Sequence, residues 1–134
     1  MIFVDTGAWY ALMDATDPNH AAALAVYRDL ARGRMGRLVT SDYVLAEAYT
    51  LCRFRGGIEP LKRLAALVRE SPSLRVLRVS ETEYDRALEM MLVREDKRWS
   101  FTDCTSFVLM ESLAIRDAFA FDENFAQAGF SVQP

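Results

Sequence analysis

The chain is poor in cysteine, histidine and lysine, and it has no long uninterrupted apolar run. Its two cysteines, Cys52 and Cys104, lie far apart with no CxxC and no neighbouring histidine, so neither a disulfide framework nor a zinc site is expected. Reduced thiols fit a cytoplasmic setting. The one histidine, His20, is remote in sequence from every carboxylate of interest, which leaves a Ser-His-Asp or paired-histidine mechanism almost nothing to work with. Lys62 and Lys97 are the only lysines, and neither lies in a strand-end motif. A phosphotransferase with a nucleophilic aspartate, or a receiver-like regulatory domain, wants a lysine there. Charge interrupts the apolar stretches every few residues, and Met1 leads directly into a short strand-like run, so no signal peptide and no membrane span are expected. With a net charge of −3 and a pI near 5.2, the protein as a whole does not attract nucleic acid as a basic binder does.

What remains is ordinary globular material. The 134 residues are 51% hydrophobic and 26% charged, which predicts one domain spanning 1–134 with no long disordered tail. Arginines gather in two stretches, Arg28, Arg32, Arg34 and Arg37, and then Arg53, Arg55 and Arg63 with Lys62. Any RNA contact must be local to such places, although each cluster taken alone reads equally well as a solvated helix face.

Patterning alternates strand and helix. Ile2-Phe3-Val4 is a short β-type run ending at Asp5, followed by a helix from Ala8 to about Asp14. Asp17-Pro18 offers an N-cap for a helix over Ala21 to Arg32, ended by Gly33 and Gly36. Arg37 to Ser41 reads as a strand, and Asp42 as the cap of a helix carrying Val44, Leu45, Ala48, Leu51 and also Glu47. Gly56-Gly57 breaks the chain before a helix from Ile58 to Glu70. Leu74 to Val79 is a strand, and Ser80 with Glu83 signs the start of a helix through Val93. A helix is predicted from Asp103 to Ile115, a strand from Ala118 to Phe121 ending at Asp122, and a short edge strand over Gly129 to Val132. Strands separated by helices imply right-handed crossovers, hence a three-layer α/β/α sandwich with a mostly parallel sheet.

In such a sheet chemistry collects beyond the carboxyl ends of the strands. Asp5 and Asp122 each close an apolar strand, where an acid has no evident structural purpose. Asp103 begins a helix and Glu47 lies a turn into another, so all four can converge at one edge. Converging carboxylates repel unless a cation neutralises them, and oxygen-only ligands suit Mg²⁺ or Mn²⁺, which can promote phosphodiester hydrolysis. Chance placement among 19 acidic residues competes with this, and Asp103 also suits a helix N-terminus electrostatically.

Four separated motifs then carry a resemblance. Ile2-Phe3-Val4-Asp5-Thr6, Tyr43-Val44-Leu45-Ala46-Glu47, Ser100-Phe101-Thr102-Asp103-Cys104 and Ala120-Phe121-Asp122-Glu123-Asn124-Phe125, followed by Ala128-Gly129-Phe130, resemble a PIN domain of the VapC toxin type in order and spacing. The resemblance implies a parallel sheet of about five strands and an Mg²⁺- or Mn²⁺-dependent endoribonuclease, usually the toxin of a type II toxin–antitoxin pair. It implies that Asp5, Glu47, Asp103 and Asp122 form the acidic quartet, with Asp5 and Asp103 as direct ligands and Thr6 and Thr102 orienting carboxylates or water. It further implies a homodimer and a small antitoxin covering the groove. Asn124 reads as a turn or cap first and an outer contact to the site second, Asp42 as a helix cap first and an added acid second, and His20 as structural. Trp9, Tyr10, Phe54 and Trp99 are candidate contact points, with core filling favoured for any one of them. An RNA-processing nuclease without an antitoxin, or a non-catalytic Mg²⁺-binding regulatory domain, remain as alternatives.

Overall fold

Ile2, Phe3 and Val4 expose nothing to water, because the strand they form, β1 (Ile2–Val4), lies in the middle of a sheet covered on both faces. The structure is a computed structural model and describes residues 1–134. After β1 come α1 (Thr6–Met13), α2 (His20–Ala31), β2 (Leu38–Ser41), α3 (Asp42–Leu51), a π-type turn (Cys52–Gly56), α4 (Ile58–Glu70), β3 (Leu74–Leu77), α5 (Glu81–Val93), α6 (Phe101–Ser112), β4 (Asp117–Phe119), α7 (Asn124–Gln127) and β5 (Ser131–Gln133).

All strands run parallel, in the order β3-β2-β1-β4-β5. The chain steps outward from β1 to β2 and β3, then crosses back to β4 and β5 on the other side. Parallel crossovers are right-handed, so this reversal sends α1 to α4 to one face and α5 to α7 to the other. Accordingly α1 packs against α2, α3 and α4, while α5 packs on α6 and α6 on α7. This is the predicted three-layer α/β/α sandwich. The same reversal leaves a crevice beyond the carboxyl ends of β1 and β4.

Aromatic residues fill the layers: Trp9, Phe3, Phe107, Phe119 and Phe125 are sealed. The buried polar atoms among them are paired, as they must be. The Trp9 indole donates to Thr40 Oγ1 at 3.1 Å, and the Thr40 hydroxyl donates to the Val4 carbonyl at 3.0 Å. Trp9, Tyr10 and Trp99 are thus core residues, whereas Phe54 is 83% exposed.

Several boundaries differ from the sequence reading, each for a local reason. Asp17 does not cap α2: its Oδ1 accepts the Asn19 amide at 2.8 Å in a turn, and Asn19 takes the cap position. Ser41, not Asp42, caps α3, accepting the Val44 amide at 3.1 Å. Asp42 instead accepts the Tyr43 and Val79 amides at 3.0 and 3.1 Å, tying the start of α3 to the segment after β3. The helix predicted to reach Ile115 stops at Ser112, because Ala114 turns to φ +53°. There the Ala114 amide meets the Glu111 carbonyl and the Ile115 amide the Met110 carbonyl, a Schellman closure. Strand β4 ends at Phe119, and α7, at four residues, is too short to leave a period in the sequence. Gly129, at φ +96°, closes α7 and is not part of β5.

Candidate active site

Asp5 owes its position to strand pairing. Its amide donates to the Phe119 carbonyl at 3.0 Å, which carries the β1–β4 ladder one residue past β1, and its carbonyl accepts the Trp9 amide at 3.1 Å. It therefore stands at the N-cap of α1, yet its side chain caps nothing. The residue is 6% exposed, and burial pushes the carboxyl's pKa from 3.8 to about 7. Asp122, Asp103 and Glu47 each add to that rise, and the Thr6 amide offsets only part of it. The four acids singled out in the sequence thus share one electrostatic neighbourhood.

The other three carboxylates are held by specific donors. Ser100 and Asp103 form a reciprocal capping box at the start of α6, the Ser100 amide donating to Asp103 Oδ2 and the Asp103 amide to Ser100 Oγ, both at 3.0 Å. Asn124 Nδ2 donates to that same Asp103 Oδ2 at 3.1 Å, leaving Oδ1 without a protein partner. The Asn124 amide donates to Asp122 Oδ1 at 3.0 Å, so one asparagine joins two of the acids. Burial is the main cause of a raised pKa at Asp122, with the charge of Asp103 contributing. Thr6 Oγ1 donates to Glu47 Oε2 at 3.2 Å and leaves Oε1 free. None of the four acids takes part in an ion pair.

Residues 2–131 match the PIN domain family. The chain belongs to that family. Over 130 residues, 97% of the chain and 95% of the relative, it is 37% identical to the 23S rRNA-specific endonuclease VapC20 of Mycobacterium tuberculosis. It is 27% identical over 124 residues, 92% of the chain and 78% of the relative, to a VapC ribonuclease of Archaeoglobus fulgidus. The crystal structure of Mycobacterium tuberculosis VapC20, described as a sarcin-ricin loop cleaving toxin, superposes with a TM-score of 0.90 at 35% identity, covering 100% of both chains.

This PIN domain brings its acids together without letting any three of its His, Cys, Asp and Glu side chains converge closely enough to enclose an ion by themselves. A site for Mg²⁺ does not require three, since this ion keeps several waters and takes as few as one or two carboxylates directly. The donor set fits: oxygen only, desolvated at Asp5, and with none of the four acids in an ion pair. Sequence reasoning undervalued Asn124 and passed over Ser100, although Ser100 with Asp103 three residues on is a legible capping signature. Thr102 was expected to orient carboxylates or water. Its hydroxyl bonds to none of the acids, and its carbonyl accepts the Thr105 and Ser106 hydroxyls at 2.7 and 3.0 Å. Asp42 is engaged elsewhere, and His20 is structural, its Nδ1 lying 2.6 Å from the Ala11 carbonyl.

Proposed function

We propose that this PIN domain is a divalent-metal-dependent endoribonuclease, the toxin of a type II toxin–antitoxin pair, with Asp5, Glu47, Asp103 and Asp122 as its working acids. The observation that carries the reading is the gathering of these carboxylates into one electrostatic neighbourhood at the topological reversal, with none of them in an ion pair. Asp5 and Asp103 would hold Mg²⁺ or Mn²⁺ directly. When bound, the ion supplies positive charge that offsets the acids and the phosphate and assists attack by water. The protein's part is preorganisation. Ser100 and Asn124 fix Asp103 by one oxygen, the Asn124 amide fixes Asp122, and Thr6 fixes Glu47, each before substrate arrives.

The likeness to VapC20 makes the sarcin-ricin loop of 23S rRNA the substrate to test first. A small antitoxin protein and a second copy of the chain are the proposed partners. The test is cleavage of that RNA by purified protein with Mg²⁺, Mn²⁺ or EDTA, beside Asp5→Asn and Asp103→Asn. Cutting that requires both the metal and the two carboxylates supports the reading; cutting by Asp5→Asn, or in EDTA, overturns it.

A further inference from the structure

From the Thr6–Glu47 hydrogen bond an open groove of about 630 Å³ runs along α3 and onto the π-type turn, past Leu51 to Phe54 and Arg55. Glu47, Leu51, Phe54 and Arg55 share this face because they follow helical spacing. Phe54 is the anomaly. At 83% exposure it is the most exposed of the molecule's large hydrophobic side chains, it does not pack against the core, and it stacks on no other ring. Arg53 and Arg55, on either side of it, are exposed and pair with no acid. An exposed aromatic ring beside the unpaired guanidinium of Arg55 in one groove, from whose lining Arg53 is absent, has the chemistry of a single-stranded nucleic-acid platform, in which the ring stacks a base and the cation meets a phosphate.

Resting on the nuclease reading above, we infer that Phe54 stacks on an unpaired base of the RNA while Arg55 holds the adjoining phosphate, positioning the strand along the groove toward Glu47. The arrangement also answers the charge problem, since an acidic protein must present cations locally to bring a polyanion to a cluster of carboxylates. It selects loops and single strands, because a base stacked inside a duplex cannot offer its face to Phe54. Phe54 is on this account a positioning residue, and its effect falls on binding.

The test uses full-length Asp5→Asn protein, which does not consume its substrate, and a fluorescent single-stranded RNA oligonucleotide of mixed sequence. Affinity is compared for Phe54 and for its Ala, Leu and Trp replacements, with melting temperatures as the check on folding. The expected result is a loss of about tenfold for Phe54→Ala and for Phe54→Leu, with Phe54→Trp retaining affinity. Removing Arg55 should make binding less steeply dependent on salt, by close to one ion. Equal affinities across the Phe54 series, including no binding in any of them, overturn the inference. So does rescue by Leu, which marks an apolar site suited to a protein partner. Metal-dependent cleavage by the wild-type chain is scored separately, so the nuclease reading stands or falls by its own assay.

Discussion

At Asp5 stability and function pull in opposite directions. A carboxyl whose pKa sits near 7 instead of 3.8 is one the fold would prefer to keep neutral, and the proposed activity needs it ionised. Asp5→Asn should abolish cleavage and raise the stability of the metal-free protein at pH 8. We expect a gain of about 2 kcal/mol, under half of what that displacement implies at about 1.4 kcal/mol per pKa unit, because the amide is itself a polar group in a dry place. Denaturant titration of the two proteins in EDTA checks this, and a less stable Asp5→Asn would contradict it. Asn124 carries the complementary prediction. It anchors Asp103 through its side chain and Asp122 through its backbone, so Asn124→Ala removes only the first contact. Cleavage at limiting Mg²⁺ should fall by roughly 10- to 100-fold, and excess Mg²⁺ should recover much of it. A loss that no amount of metal restores would place Asn124 in the chemistry itself.

Among the elements, α6 does two jobs at its two ends. Its N-terminus is closed by the Ser100–Asp103 capping box, which spends one carboxylate oxygen on the helix and leaves the other for the site. Reading Asp103 as a helix-start residue or as a ligand is therefore a false choice. At the other end Ala114 occupies the left-handed position of a Schellman motif where glycine is usual. The Cβ is strained there, so Ala114→Gly should stabilise the protein by about 0.5–1 kcal/mol, the relief being partly offset by glycine's greater unfolded-state freedom. Thermal unfolding reads this directly, and since Ala114 lies at the opposite end of α6 from Asp103, cleavage should not change. At its C-terminus α1 is held by a different device: the Arg63 guanidinium of α4 donates to the Met13 carbonyl at 2.5 Å.

For the whole molecule, the acid cluster writes itself into pH dependence. Asp5 has a folded-state pKa near 7, above its unfolded value of 3.8, so between those values the folded chain binds more protons than the unfolded one. Its contribution to stability is therefore complete below pH 4, declines as pH rises, and is lost above about pH 7. The stability difference between wild type and Asp5→Asn in EDTA should widen in that window and level off beyond it. The proposed Mg²⁺ would bind the ionised form, so its stabilising effect should run the other way, with a larger rise in melting temperature at pH 8 than at pH 5.5. An equal rise at both would detach Asp5 from the ion.

The alternation of apolar strands with amphipathic helices was enough to determine the layer architecture, because parallel strands joined by helices have one favoured handedness and few ways to pack. That Asp5, Glu47, Asp103 and Asp122 come into one neighbourhood was legible for a related reason: Asp5 and Asp122 break apolar runs at places where the core gives them no purpose, and the family resemblance implied the other two. Short-range signals were read less well where two residues could serve one role, as with Asp17 and Asn19 or Asp42 and Ser41, since capping depends on a single dihedral that neighbouring polar residues contest. Tertiary structure alone decided which acid is dry, which oxygen of each is already spent, and that Asn124 reaches Asp103 from another segment. It alone decided too that Phe54 stands in solvent while Trp9 and Trp99 do not. Burial and cross-chain hydrogen bonds depend on elements distant in sequence, and a linear pattern records only which face a residue lies on.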